Sequence, residues 1–210
     1  MKKVIFFALG LFLLVQSQNA QAAVQEWAIA DGGNGHFYDF IRKSNNWENS
    51  ITWQNAFSEA NGLNYMGQAG YLATITSANE NVFLSTGFSV PEESQFAWIG
   101  GYQSDNLAQP VGPWKWVTAE PWGYTNWGGI EPNGGTDNEY YAMYNIGTSF
   151  YGIASDLWAD ASNAPSRYDP VVGYFVEFNS PTVTPEPISA SLFLLGGGLM
   201  ALRRYRRKKA

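Results

Sequence analysis

The sequence predicts an α+β domain in the middle of the chain, because two helix patterns precede a series of short strands. The first helix pattern places apolar residues at i, i+3, i+4 and i+7, at Trp53, Ala56, Phe57 and Ala60, which is the spacing of one helix face. The second begins with Ser77 and Glu80, the pair that forms a capping box at a helix start. Beyond residue 95, short aromatic segments alternate with loops rich in glycine, asparagine and proline. Helices followed by a run of strands are typical of the α+β class.

The ends of both helices are predicted as well. Asn61 and Gly62 would terminate the first helix, and Gly87 the second, because glycine is common just beyond a helix C-terminus. Residues 82–84 (VFL) would supply the apolar surface of the second helix.

Six segments are predicted as strands. Their residues are aromatic or β-branched, and turn residues lie between them. Tyr174, Val176 and Phe178 alternate along the last segment, which predicts that one of its faces packs on the core. The segments are residues 36–41 (HFYDFI), 71–75, 96–102 (FAWIGGY), 114–117 (WKWV), 139–146 (EYYAMYNI) and 173–178 (GYFVEF).

Composition limits the classes of protein that this chain can represent. Its 210 residues suit one domain after processing segments are removed. Hydrophobic residues make up 45% and aromatic residues 16%, which is enough for a packed core. The chain has no cysteine, which excludes disulfides, thiolate metal sites and cysteine nucleophiles.

The charge is distributed unevenly. Of twelve basic residues, two stand at positions 2 and 3 and six within residues 203–209. The body of the chain therefore sets four basic residues against eighteen acidic ones, a formal charge of −14. Such a surface repels phosphate backbones and attracts cations. We expect no nucleic-acid partner.

The N-terminus has the pattern of a secretory signal peptide over residues 1–22. Lys2 and Lys3 form the positive region, residues 4–15 the apolar stretch, and residues 20–22 (AQA) the cleavage site. A membrane anchor is the alternative, but the apolar run is short for a bilayer.

The C-terminus has three parts. A linker over residues 180–187 ends in Pro185, Glu186 and Pro187, and residues 188–210 contain an apolar segment followed by a basic cluster. Fifteen apolar or small residues barely span a membrane, and the basic cluster favours a cytoplasmic end. A plain tail anchor is the alternative.

This order resembles the PEP-CTERM sorting tail of Gram-negative bacteria. The resemblance implies transient membrane association through the C-terminal segment and removal of that segment by an exosortase. It also implies export to the cell surface or the extracellular polymer matrix.

The domain over residues 24–179 contains a further set of motifs in a specific order. Residues 98–101 (WIGG) follow the second helix, and residues 131–133 (EPN) follow Trp127. Glu139 comes next, and residues 158–160 (WAD) precede the last strand. This ordered set resembles the C-type lectin-like family. The resemblance implies the C-type lectin-like fold with a long ligand-binding loop, and a cis peptide bond before Pro132.

The resemblance also implies a calcium ion and a carbohydrate ligand. The residues that would bind both are Glu131, Asn133, Glu139 and Asp160, and an EPN triplet implies mannose- or glucose-type sugars. Calcium takes six to eight oxygen ligands, and these four side chains all offer oxygens. Without a cation the three carboxylates would repel one another.

One position departs from the family pattern. Ala159 stands where an asparagine is expected, which removes one calcium ligand and one hydrogen-bond donor to the sugar. A neutral hydrogen bond contributes about 0.5–1.5 kcal/mol. A water molecule or Asn163 would have to take the place of the missing amide.

Two other classes of function are alternatives to a lectin. A lectin-like fold without sugar binding would act as a structural or adhesive matrix protein. An enzyme is not expected, since His36 is the single histidine and no nucleophile motif is present. A glycosidase would need two suitably spaced carboxylates, such as Glu131 and Glu139. Four tryptophans either stack on sugar or belong to the core: Trp114, Trp116, Trp122 and Trp127.

Overall fold

The computed structural model describes residues 24–44, 47–88, 96–103, 112–134, 138–148, 153–164, 166 and 170–181. The signal peptide over residues 1–22, the PEP motif at 185–187 and the tail over 188–210 lie outside these residues. Within them, no helix is both long and apolar enough to cross a bilayer.

Two α-helices and nine strands form the described part of the chain. The helices are α1 (Trp53–Gly62) and α2 (Ala78–Gly87), and short 3₁₀ helices lie at Ile29–Asp31 and Trp47–Asn49. The strands are β1 (Gln25–Glu26), β2 (Phe37–Arg42), β3 (Asn64–Tyr65), β4 (Gln68–Leu72), β5 (Phe96–Gln103), β6 (Trp114–Trp116), β7 (Tyr141–Asn145), β8 (Trp158–Ala161) and β9 (Val171–Phe178).

The last strand organises the sheet. β9 pairs antiparallel with β2 along one side, and with β4 and β5 along the other, where its pairing with β5 is parallel. The sheet continues from β5 to β7 and then to β8, and the pairing of Ala142 with Asp160 fixes the register of these two outer strands. β8 therefore carries Asp160 at the edge of the sheet nearest the long loop that joins β6 to β7.

Burial of β9 is more complete than its sequence pattern indicates. All eight residues are buried, so the expected packing of one face on the core is confirmed and the other face is buried as well. Tyr174 and Val176 belong to one hydrophobic cluster, whereas Phe175 belongs to another on the opposite face. The strand is buried on both faces because α1 packs on one side of the sheet, while α2 and the long loop pack on the other.

The first helix forms as its sequence predicts. Thr52 caps α1 by accepting a hydrogen bond from Asn55 N at 3.2 Å. Trp53, Ala56 and Ala60 are buried, and the helix ends at Gly62 as expected. Phe57 is the exception, since it is 36% exposed and stacks on the indole of Trp53.

The second helix has only half of the predicted capping box. Ser77 accepts a hydrogen bond from Glu80 N at 3.2 Å, but the Glu80 carboxylate does not return to Ser77. It accepts instead from Thr76 N at 2.7 Å and from the buried Tyr38 hydroxyl at 2.6 Å. The expectation that Val82 supplies apolar surface is wrong, because Val82 is 51% exposed.

The strand predicted over residues 71–75 begins and ends earlier, at Gln68 and Leu72. Residues 73–75 are still buried, and Ala73 bonds outside the ladder, with its N–H donating to Phe175 O at 3.0 Å. The two-residue strands β1 and β3 have no recognisable sequence pattern. The sequence indicates β8 only through the WAD motif at residues 158–160.

Candidate functional site

The long loop between β6 and β7 is tied to β8 by backbone hydrogen bonds. Gly128 N donates to Trp158 O, and Trp158 N donates to Asn126 O, both at 2.8 Å. Trp127 and Trp158 therefore form an isolated parallel bridge. The three residues of the EPN triplet follow this bridge, so they lie beside the strand that carries Asp160.

A cluster of tryptophans packs between the β6–β7 loop and the sheet. The indole of Trp158 packs edge-on against Trp116 and Trp127, with ring centroids 5.7 Å apart in both pairs. Trp114 and Trp116 are buried, at 8% and 1% exposure, and the half-buried Trp122 packs against both. The structure thus assigns Trp114 and Trp116 to the core, whereas Trp122 and Trp127 are partly buried and pack against it.

Asp160 connects the loop to the sheet. Its Oδ1 accepts a hydrogen bond from Asn133 N at 3.0 Å, and its Oδ2 accepts one from Gly134 N at 2.9 Å. Asp160 is only 3% exposed, and Gly134 has a φ of 72°, which favours glycine. The side chain of a sheet residue therefore holds the loop backbone directly beside the EPN triplet.

Glu131 faces the same point. Both of its oxygens accept from Asn133 Nδ2, at 2.8 and 2.9 Å. Burial, a hydrogen bond to Asp160 and the charges of Asp160 and Glu139 together raise the pKa of Glu131 to about 8, against the lowering effect of the hydrogen bond from Asn133. The bond between Glu131 and Pro132 is cis, as the family resemblance implies.

Glu139 lies just before β7 and is half-buried. It acts on Glu131 through its charge, whereas Glu131, Asn133 and Asp160 are in direct contact. Among the described residues, no three acidic or histidine side chains lie in a ready metal-binding group. This agrees with the contacts of Asp160, whose two oxygens are both engaged by backbone N–H groups.

The chemical type of the candidate ligand atoms suits calcium. Three carboxyl groups and one amide offer oxygen atoms only, which favours a hard cation such as calcium over zinc. Burial is the main cause of the raised pKa of Glu131, and the negative charges of Asp160 and Glu139 add to it. A divalent cation would offset those charges.

The missing asparagine is not replaced by a neighbouring amide. Ala159 is 1% exposed and lies within the hydrophobic core. Asn163 is engaged elsewhere, since its Oδ1 accepts from Gln54 N and its Nδ2 donates to Gln54 Oε1, both at 3.1 Å. The suggestion that Asn163 substitutes is therefore wrong, and water remains as the alternative.

Two positioning residues have no signal in the sequence motifs. The Asn126 side chain donates to Asp156 O at 2.8 Å, and the Asn81 side chain donates to the same oxygen at 3.0 Å. Asn81 Oδ1 also accepts from the Trp158 indole at 2.8 Å. These amides fix the start of β8 and hence the position of Asp160, through contacts between residues far apart in the chain.

Comparison with known proteins identifies the family of the domain. A family model described as the lectin C-type domain matches residues 49–162. Halomucin from Haloquadratum walsbyi is 33% identical over 166 residues, which are 72% of this chain but only 2% of halomucin. The chain thus spans a very small part of that relative.

Solved structures share the fold. The C-type lectin CEL-I from Cucumaria echinata has a TM-score of 0.53 at 21% identity, with 78% of this chain and 98% of CEL-I covered. The SPL-1–GlcNAc complex has a TM-score of 0.51 at 16% identity, with 76% and 94% covered. At these identities the likeness shows the C-type lectin fold, as expected from the sequence.

Proposed function

Because this chain belongs to the lectin C-type domain family, we propose that it is a carbohydrate-binding protein and that binding depends on calcium held at the EPN loop. The observation that carries the proposal is the contact of Asp160 with the backbone of Asn133 and Gly134. This contact places the side-chain oxygens of Asp160 beside the EPN loop, although Asp160 is 27 residues from Asn133 in the sequence. Calcium would be held by Glu131, Asn133, Glu139 and Asp160.

The same residues would bind the sugar. The calcium ion, when bound, would accept lone pairs from two vicinal hydroxyls of a pyranose. Glu131 and Asn133 would serve one hydroxyl, the carboxylate as acceptor and the amide as donor. Glu139 would accept a hydrogen bond from the other hydroxyl. No amide would donate to that hydroxyl, because alanine stands at position 159 in place of asparagine. The EPN triplet favours mannose- or glucose-type sugars, and the similarity to a protein in complex with GlcNAc supports a hexose ligand.

Binding rather than catalysis is the proposed activity. Glu131 and Glu139 are the carboxyl pair that a glycosidase would use, but both would be engaged by the cation. His36, the single histidine, lies just before β2 and bonds to Glu177 of β9 at 2.6 Å, rather than to the loop.

The cellular setting is also proposed. Residues 1–22 would direct export, and the segment from Pro185 onward would be a sorting signal recognised by an exosortase. The mature protein would then reach the cell surface or the extracellular polymer matrix of a Gram-negative bacterium.

A second candidate function is a lectin-like structural or adhesive matrix protein without sugar binding. The buried position of Ala159 and the engagement of Asn163 by Gln54 favour it, because neither residue supplies the missing amide.

A glycan array separates the two candidates. The purified protein is applied in calcium and again in chelator, beside the double variant Glu131→Gln with Asn133→Asp and the control Glu26→Gln, which alters an exposed acid on β1. The lectin predicts retention on mannose- or glucose-type glycans that chelator and the double variant abolish and the control preserves. Absence of retention on every glycan supports the structural protein.

A further inference from the structure

Two buried carboxyl groups meet at one hydroxyl, outside the EPN loop. Glu80 of α2 is 1% exposed and Glu177 of β9 is 2% exposed. The Tyr38 hydroxyl lies 2.6 Å from Glu80 Oε1 and 3.2 Å from Glu177 Oε1, and its single proton serves one of them at a time. Burial raises the pKa of Tyr38 and of Tyr71, which also faces Glu177, so both hydroxyls stay protonated. Two buried carboxylates lower the stability of a fold unless a cation faces them.

His36 supplies a cation at this point. Its Nδ1 lies 2.6 Å from Glu177 Oε1, and the imidazole is 25% exposed, so it exchanges protons with the solvent. The hydrogen bond to Glu177 is the main cause that raises the pKa of His36, against the lowering effect of burial. The charges of Glu120 and Glu80 act in the same direction as that hydrogen bond. The charge of His36 therefore changes above the ordinary value of 6.5.

Backbone donors hold the same two carboxyl groups in place. Glu177 Oε2 accepts from Thr74 N at 2.9 Å, and Glu80 Oε2 accepts from Thr76 N at 2.7 Å. The Glu80 carboxyl group therefore joins the first turn of α2 to β2 and to the segment that follows β4. We call the four residues His36, Tyr38, Glu80 and Glu177 the His36 cluster.

The helix α2 connects the His36 cluster to β8. Asn81 follows Glu80 in the helix and is 1% exposed. Its Nδ2 donates to Asp156 O at 3.0 Å, and its Oδ1 accepts from the Trp158 indole at 2.8 Å. A shift of the Glu80 carboxyl group would therefore move the adjacent Asn81 amide and the start of β8. Asp160 lies two residues beyond Trp158 on the same strand.

We propose that His36, Glu177 and Glu80 are positioning residues, which hold α2 and through Asn81 place β8 only while His36 is protonated. When His36 gives its proton to water, the carboxylates of Glu177 and Glu80 are no longer faced by its charge. Their repulsion then moves Glu80 away from Tyr38 and loosens the first turn of α2. The hold on α2 is complete below the unfolded pKa of 6.5 and is lost as pH rises through the higher folded pKa of His36.

The His36 cluster would make ligand binding sensitive to pH. This consequence rests on the proposed function, because it requires that Asp160 binds calcium where β8 places it. The ligand affinity would then fall as pH rises through the pKa of His36, although His36 itself does not contact the ligand.

An NMR titration of the purified protein in chelator tests the proposal. The chain has a single histidine, so the imidazole signal is unambiguous. It should titrate with a midpoint above 6.5, and the assigned Trp158 indole N–H signal should shift with the same midpoint. Glu177→Gln should lower the midpoint of His36 and remove the step at Trp158. A Trp158 signal that stays constant through the His36 titration overturns the proposal.

Two further variants test the route through α2. Glu80→Gln should leave the titration of His36 in place and remove the step at Trp158, because the carboxylate on α2 is gone. Glu120→Gln is the matched control, since Glu120 faces His36 but is not part of α2. It should lower the midpoint of His36, and Trp158 should follow the new midpoint. A step that survives Glu80→Gln, or that does not move with His36 in Glu120→Gln, overturns the route.

A calcium melting experiment on the same samples separates this proposal from the proposed function. A shared midpoint of His36 and Trp158, in a protein that calcium does not stabilise, supports the positioning role and contradicts the calcium-dependent lectin. Independent titration of the two signals, in a protein that calcium stabilises, overturns the positioning role and leaves the lectin in place.

Discussion

Glu131 is the residue whose chemistry depends most on what surrounds it. Burial and the neighbouring Asp160 raise its pKa to about 8, so in the absence of a cation the carboxyl holds a proton at neutral pH. The sequence predicts Glu131 as a ligand only through the EPN triplet. It does not predict the proton, since that depends on the contact with Asp160, which lies on a different strand.

The raised pKa predicts how stability varies with pH. Unfolded, Glu131 titrates near 4.5, and folded near 8, so the fold favours the protonated form. Its contribution is fully present below the unfolded pKa and is lost as pH rises through the folded pKa. In chelator, the free energy of unfolding should therefore fall between these values, and saturating calcium should suppress the fall.

Urea unfolding across this pH range measures the effect. Glu131→Gln should flatten the dependence in chelator, because glutamine has no proton to lose. Glu26→Gln, which alters an exposed acid, should leave it as in the unsubstituted protein. A fall of the same size in the Glu131→Gln variant would show that other groups cause it.

The elements differ in how much of them the sequence could predict. α1 has a regular apolar face and a capping threonine, and both its bounds follow from local residues. Strands are harder, because burial of β9 on both faces depends on what packs above and below the sheet. The Glu80 carboxylate does not cap its helix as predicted but accepts a hydrogen bond from the Tyr38 hydroxyl. The two residues are 42 positions apart, so no local sequence pattern predicts this contact.

Gly100 on β5 offers a prediction at this scale. A Cβ at this position would lie 2.6 Å from Leu72 O, a backbone atom that cannot move without disturbing β4. Gly100→Ala should therefore lower the free energy of unfolding by about 1–3 kcal/mol, the usual range for overpacking.

Gly62→Ala is the matched control. Gly62 is the last residue of α1 and has open space around it, so alanine should be neutral or stabilise the protein by about 0.4–1 kcal/mol. Chemical denaturation of both variants gives the comparison. Equal stability of the two variants would show that the close packing of β5 on β4 does not limit residue 100.

At the scale of the whole molecule, the fold brings together a loop and a strand that the sequence keeps apart. Family resemblance names four residues as ligands, and the contact of three of them, Glu131, Asn133 and Asp160, depends on the bridge between Trp127 and Trp158 and on the tryptophans packed against it. The body of the chain carries a formal charge of −14. That charge excess, readable from composition alone, favours a cation over an anionic partner.

Thermal unfolding of the purified protein, in calcium and in chelator, tests most directly whether Glu131, Asn133, Glu139 and Asp160 form one calcium site. Calcium at about 100 times its dissociation constant should stabilise the fold by about 2.7 kcal/mol. We predict a rise of several degrees in melting temperature that Glu131→Gln removes and Glu26→Gln retains. Superimposable melting curves in calcium and chelator would contradict the account.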